Sequence, residues 1–478
     1  MSSRTRITLL APSLALVAAG CVDRGDWKPA PQLSPQGLSA QRTLAGTQVE
    51  ATAWPADTWW RAYGDPQLDA LIEQALAGSP SLEIAQARLR AAQGQAIAAR
   101  AARLPTGTLD ATVSRQRFPE NGLYPPPLGG NYWNQGQVTL DFSYDLDLWG
   151  RYRALAAAAR AGVAAAQADQ AAARLAIAVA VVRAYIQLDL WYALLDVAND
   201  QLKQQQALLD LTRQRVVAGL ENSARVKQSE GNVALTRAGV EAAQASIDLS
   251  RDQLADLVGT GPDRGLELNR PQLTAPATLG LPSVLPAELL GRRPDIAAAR
   301  ARVESTSRGI KAAEAQFYPD VNLTAFAGFA SLGLSQLFDA PDRINGLGAA
   351  LSLPVFNRGQ LTGALYGQQA QFDQSVGQYN QILLDAIRQV ADVIANWRAL
   401  EKETTEQVTA LDAAQRAYDL TSERYRAGLD NYLSVLSSQN QVLLAEALRA
   451  ELIARRLSFS ADLVMALGGG YSPGTPAG

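Results

Sequence analysis

The chain has 478 residues, a formal charge of −3, no histidine, one cysteine and two methionines. Without histidine or paired cysteines, the commonest acid–base and metal chemistry has no residues to use, so no metal or cofactor is expected. The near-balanced charge lacks the basic footprint of nucleic-acid binding. Carboxylate or lysine chemistry stays open in principle, but no constellation of residues supports an enzyme.

The predicted elements begin with an export signal over residues 1–20. Arg4 and Arg6 form a positive start, and Ile7 to Ala19 is an apolar run too short to span a membrane. It ends in Leu16-Val17-Ala18-Ala19-Gly20-Cys21, which resembles a bacterial lipobox, so Cys21 is the expected lipid attachment site. Val22, where an aspartate would resemble an inner-membrane retention signal, favours the outer membrane. Residues 21–58 read as a lipid-anchored tether, Pro- and Gln-containing and without periodicity.

Two prolines frame a helix over Ser81 to Leu104. Strands are expected over Thr106 to Phe118 and Gln135 to Leu148, joined by a Pro-, Gly- and aromatic-rich loop. Val138, Leu140, Phe142 and Tyr144 alternate with Thr139, Asp141, Ser143 and Asp145, the weak pattern of a membrane β-strand. No proline follows from Leu128 to Gly261. Arg151 to Ala218 therefore reads as one helix, roughly 100 Å long at ~1.5 Å per residue. Val181, Leu188, Leu195, Leu202, Leu209 and Val216 recur every seven residues as a coiled-coil seam. Gly219 ends this helix, and a return helix is expected over Ala224 to Val258.

After a linker over 263–285 the plan repeats. The second half offers a helix over Asp295 to Tyr318, strands over Asp320 to Leu334 and Ile344 to Phe356, and a second long helix ending at Gly428. A return helix over Leu433 to Leu467 and a tail over 469–478 complete it. Val181–Gly259 aligns without a gap to Val390–Gly468 at an offset of 209. Ser79-Pro80-Ser81-Leu82 pairs with Arg293-Pro294-Asp295-Ile296 at an offset of 214. A period this long is duplication of a half-protein, not a solenoid. Two similar halves about an axis suit a tube better than a single catalytic cleft. Four strands cannot close a membrane barrel, so a chain that spans must oligomerise.

The order and spacing of several motifs resemble the TolC-like outer-membrane efflux factors, specifically the lipidated NodT/OprM-type subfamily. They are Trp59-Trp60 with Asp65-Pro66-Gln67-Leu68, Tyr144-Asp145-Leu146-Asp147-Leu148-Trp149-Gly150-Arg151, Leu290-Gly291-Arg292-Arg293-Pro294-Asp295-Ile296, Ala315-Gln316-Phe317-Tyr318-Pro319 and Arg424-Tyr425-Arg426-Ala427-Gly428. The resemblance covers nearly the whole mature chain, with efflux repeats at 59–262 and 286–468. It implies a mainly α fold with a membrane β-barrel, four strands from each chain of a homotrimer, and a long α-barrel. It implies an outer-membrane location with the chain extending into the periplasm. It also implies docking to a periplasmic adapter and, through it, to an inner-membrane transporter of the resistance–nodulation–division type.

The resemblance places a periplasmic gate near the second hairpin tip. Its aromatic gate residue falls on Tyr425, with a plain seam position at heptad spacing as the alternative, and its pore-narrowing leucine on Leu433. Ser437 stands where the family often has an acidic ring residue, and Asn440 where it often has a basic partner. Asp430 lies near the turn, with helix capping as its alternative role. Ala218-Gly219-Leu220 and Ala427-Gly428-Leu429 correspond to the adapter-contact tips, with turn geometry alone as the alternative. The expected function is a passive outer-membrane efflux channel for drugs and small molecules. A polypeptide-secretion outlet and a trimeric stalk without a conduit are the alternatives. Copper or silver export is disfavoured, because the mature chain offers only Met465 and no histidine as soft ligands.

Overall fold

A computed structural model of the chain describes residues 26–34, 38, 50–51, 54–274, 280–281 and 291–472. The signal segment, Cys21 and residues 473–478 lie outside the described residues. The chain divides into two compact units, one comprising residues 1–32, 89–166 and 299–379 and the other the remainder.

The first unit carries a four-stranded antiparallel sheet of β2 (Thr106–Arg117), β3 (Tyr132–Asp145), β5 (Asp320–Leu332) and β6 (Arg343–Ser352). The two-residue strands β1 (Glu50–Ala51) and β4 (Gly280–Leu281) pair separately, in parallel. Three of the long strands lie within three residues of their expected positions, and β6 ends four residues early, at Ser352 instead of Phe356. The strand order is β2-β3-β5-β6, so the two halves join through β3 and β5, with Val138 opposite Phe329. β2 and β6 each keep one edge with no strand partner among the described residues. Every residue of β2 is exposed, because one sheet layer has nothing apolar beside it within a single chain.

Helix α2 (Pro80–Ala101) and helix α6 (Pro294–Ala315) each begin at their proline, whose missing N–H is harmless in a first turn. The motif leading into the long helix α3 (Arg151–Val217) is a cap. Asp147 accepts from the backbone N–H groups of Tyr152 and Arg153 at 3.0 and 2.8 Å. Trp149 stacks on Tyr318 with centroids 4.6 Å apart and donates to the Pro319 carbonyl at 2.8 Å. Trp27 packs against Phe372 of the second long helix, α7 (Arg358–Arg426), and donates to Asp373 at 2.8 Å.

The second unit holds the rest of both long helices. It also holds the return helices α4 (Ser223–Leu257) and α8 (Tyr432–Leu467) and two shorter helices. The shorter ones are α1 (Pro66–Gly78) and α5 (Asp263–Leu266). The six seam positions of α3 and their counterparts in α7, Val390, Trp397, Thr404, Leu411, Tyr418 and Tyr425, are all buried or half-buried. Helix α1 was not among the expected elements. Asp65 caps it, accepting from the Gln67 N–H at 2.9 Å, from the Tyr185 hydroxyl at 2.7 Å and from the Gln272 N–H at 2.8 Å. Three donors satisfy this buried carboxylate, while burial first, and then Asp65, pushes the Tyr185 phenol pKa up. Trp60, Tyr63, Leu68 and Ile72 close over Val181 and Leu188. The first part of the expected linker is docked here: Thr274 donates to the Tyr63 carbonyl at 3.0 Å.

The return helices end alike. Gly259 (φ +78°) and Gly468 (φ +94°) are left-handed, and a Cβ on either would strike backbone at paired positions. That atom is the Gly78 carbonyl oxygen at 2.4 Å in the first repeat and the Arg292 carbonyl oxygen at 2.0 Å in the second. By contrast Gly428 (φ +75°) has open space around it. Gly428→Ala should therefore cost only the left-handed strain of about 1–2 kcal/mol. Gly468→Ala adds a backbone collision and should lower the thermal midpoint much further. Equal midpoints for the two variants in a detergent melting experiment would contradict this account.

Candidate functional site

Each hairpin tip is built from a glycine stop and an asparagine start. At the first tip Leu220 N–H bonds the Arg215 carbonyl at 2.9 Å and Gly219 N–H bonds Val216 at 3.0 Å. At the second, Leu429 bonds Arg424 at 2.8 Å and Gly428 bonds Tyr425 at 3.1 Å. This double closure needs a left-handed residue, supplied by Gly219 (φ +74°) and Gly428. Asn222 and Asn431 then cap α4 and α8, accepting from Arg225 and Ser434 N–H groups. Asp430 is not the cap. It accepts from the Asn431 N–H at 2.8 Å and pairs with Arg424 at 3.4 Å. The apolar residues at the tips, Leu220 and Leu429, are 64 % and 69 % exposed. Ala218 and Ala427 are exposed beside them.

The gate candidates separate onto two surfaces. Leu433, Ser437 and Asn440 recur at four and three residues, and all are exposed on one stripe of α8. Tyr425 is fully buried within the chain, among Leu208, Tyr432 and Val435. Its ring meets Tyr432 edge-on at 6.3 Å. Burial is the main reason its phenol pKa is raised. Tyr425 therefore does not share the exposed face of Leu433 in this conformation; it packs where the two hairpins meet.

Arg215, a residue that motif reasoning had not singled out, joins the hairpins there. Its Nη1 donates to the Tyr425 carbonyl at 2.9 Å, and its guanidinium lies 4.5 Å from the Tyr425 ring centroid. Cation–π contacts of this kind contribute about 0.5–2 kcal/mol. Two buried glutamines extend the joint: Gln205 donates to Gln439 at 2.9 Å, and Gln439 donates to Gln204 at 3.0 Å. Nothing in the sequence marks these as cross-hairpin partners, because they lie more than 200 residues apart. Glu230, equally unmarked, receives Arg213 at 3.2 Å and Lys227 at 2.9 Å at the first tip.

A family model described as outer membrane efflux protein matches residues 71–260 and 285–469. The chain belongs to that family. A similar relative is the multidrug resistance outer membrane protein MdtP of Escherichia coli strain K12, 30 % identical over 485 aligned positions, covering 99 % of this chain and 98 % of that one. The fusaric acid resistance protein FusA of Burkholderia cepacia is 38 % identical over 371 positions, covering 76 % and 69 %. Among solved structures, the outer membrane protein VceC of Vibrio cholerae superposes with a TM-score of 0.83 at 37 % identity, covering 88 % of this chain and all of that one. The outer-membrane channel OprN gives 0.84 at 28 % identity, covering 92 % and 99 %. The chain is thus an outer-membrane efflux channel component with the mainly α, four-stranded fold of that class.

Within this efflux-protein fold both tips carry an acid anchor. Lys227, then Arg213, lower the Glu230 pKa. The Ser434 hydroxyl, then the Asn431 N–H, and only then Arg424, lower that of Asp430. Each carboxyl binds its proton less readily folded than unfolded. The resulting stabilisation is complete above the ordinary carboxylate range near ~4 and is lost as pH falls through the lowered folded value. The tips should therefore keep unchanged hydrogen-exchange protection, corrected for intrinsic rates, from about pH 8 to 5, and loosen only below about 4. Asp430→Asn should remove the acid sensitivity of the second tip alone. Loosening between pH 7 and 5 would contradict the assignment.

Proposed function

We propose that this efflux-family chain works as a homotrimeric, lipid-anchored conduit that does no chemistry of its own. The observation that carries the reading is the sheet with two open edges. Strands of 10 to 14 residues suit a tilted membrane crossing of ~9–11 residues. Lipid offers no partner for the N–H and C=O groups of an edge strand. Placing β6 of one copy beside β2 of the next satisfies both edges, and three copies give twelve strands. In this reading the long helices extend into the periplasm. The exposed leucines and alanines of the tips then form the contact for a periplasmic adapter, which links the channel to a resistance–nodulation–division transporter that supplies the energy. The cargo class is drugs and other small molecules; MdtP and FusA are named for multidrug and fusaric acid resistance. The efflux repeats occupy 59–262 and 286–468.

Lipid at Cys21 anchors the chain to the outer membrane. Mass spectrometry of the mature N-terminus should find a diacylglyceryl thioether and an amide-linked chain, two acyl signals being enough for stable anchoring. An unmodified thiol overturns this. Cys21→Ser should abolish acylation and leave trimers able to insert, since the barrel holds itself in the bilayer.

The resting gate closes by packing and neutral hydrogen bonds: Tyr425 and the Arg215 bond hold the hairpins together while Leu433, Ser437 and Asn440 narrow the pore. Reconstituted trimers should conduct, which a solid stalk cannot. Tyr425→Ala should raise resting conductance. With serine in place of a carboxylate ring, block by trivalent cations from the periplasmic side should be weak, and Ser437→Asp should create it. Strong trivalent block in the unmodified channel that survives Asp430→Asn would place the constriction at another acidic ring.

A further inference from the structure

The duplication turns one repeat into a control for the other. In the second repeat Arg293 precedes the first proline of α6 and is buried. Its Nη1 donates to the Gln389 side chain and to the Ala466 carbonyl, each at 2.9 Å, and its Nη2 pairs with Asp295 at 2.6 Å. That niche is a guanidinium site at the C-terminal end of α8, where freed carbonyls favour a cation. The paired positions in the first repeat are Ser79 for Arg293, Ser81 for Asp295, Ala180 for Gln389 and Leu257 for Ala466. The backbone is the same: Gly259 approaches Gly78 as Gly468 approaches Arg292.

With no arginine there, the first repeat keeps an open cavity of about 740 Å³, lined by these four residues together with Ile177 and Asp256 among others. Its size and its mostly alkyl walls fall within the ~300–1,000 Å³ range of small-ligand sites. Its polar features are the hydroxyls of Ser79, Ser81 and Thr260, the helix end at Leu257 and the exposed carboxylate of Asp256, all neutral or negative. Asp256 stands where the second repeat has Met465, so the repeat without the arginine carries a carboxylate where the other has an uncharged thioether.

We propose that this cavity binds organic cations with an amidinium or guanidinium head and an apolar body. The head takes the place of the missing arginine against the end of α4 and Asp256; the body lies on Ile177 and Ala180. The volume exceeds that of one arginine side chain, which leaves room for the body.

The test uses p-aminobenzamidine, a monocation whose fluorescence rises in apolar surroundings, with the full-length trimer in lipid nanodiscs. Saturable binding is expected at one molecule per protomer. Ser79→Arg combined with Ser81→Asp rebuilds the second repeat's ion pair in the first and should weaken binding about tenfold or more, with the melting midpoint maintained. Asp256→Asn should weaken it severalfold. If the double variant does not assemble, Ala176→Phe fills the cavity from the α3 wall and should have the same effect. Absence of saturable binding overturns the proposal. So does undiminished affinity in an assembled filled variant, or equal binding of the neutral p-aminobenzamide. The site asks nothing of the conduit. Conductance without p-aminobenzamidine binding therefore removes this inference and leaves the channel reading standing.

Discussion

A helix of 67 residues is stable only if something covers a continuous stripe of it. Isolated helices gain little from propensity, and most helical stability comes from packing one face. In this chain the stripe is the heptad seam, buried or half-buried in both long helices from Val181 to Val216 and from Val390 to Tyr425. The return helices exist to cover it, and the glycine–asparagine tips exist to reverse the chain so that they can. The Asp65 cap and the aromatic cover at Trp60 and Tyr63 are built onto the Val181–Leu188 part of the same stripe.

Duplication preserved this backbone arrangement and released the side chains. Both return helices close on a left-handed glycine with a carbonyl oxygen directly beneath it, so neither glycine was free to change. Arg293 and Ser79 occupy one backbone environment, yet one fills a niche and the other leaves a cavity. The tips diverged in the same manner. Arg215 reaches across to Tyr425, whereas its counterpart Arg424 stays at its own tip with Asp430. The first repeat thus supplies the joint, and the second supplies the aromatic residue that the joint holds.

The parts legible in the sequence were those governed by local rules. Proline starts, glycine stops, seven-residue spacing and two-residue alternation located the four strands and six of the helices to within a few residues. Helix α1 is absent from the expected elements, although its motif, Asp65-Pro66-Gln67-Leu68, contains a capped helix start, an Asp followed by Pro. The proposed gate was less legible. Leu433, Ser437 and Asn440 share a face because helical spacing requires it. The burial of Tyr425 depends on Leu208, Tyr432 and Val435, all of them on other helices. No local pattern carries that information, and neither does any pattern reveal Arg215 or the Gln205–Gln439 bond.

The chemistry of the hairpin ends limits how such a channel can be switched. No histidine is present to titrate near neutrality. Glu230 and Asp430 have lowered pKa values, so both stay charged across the physiological range. The ion pairs at the tips are open to solvent, where water and salt screen them. The joint between hairpins is different: an enclosed tyrosine, a guanidinium against its ring and carbonyl, and buried amides bonded to each other. A proton or a change in salt has little purchase on such a joint. A force applied to the exposed tip leucines does, because the tips are continuous through α7 with Tyr425, three residues before Gly428. If the gate lies at these hairpins as proposed, opening by contact with a partner is the switching mode that this arrangement of residues permits most readily.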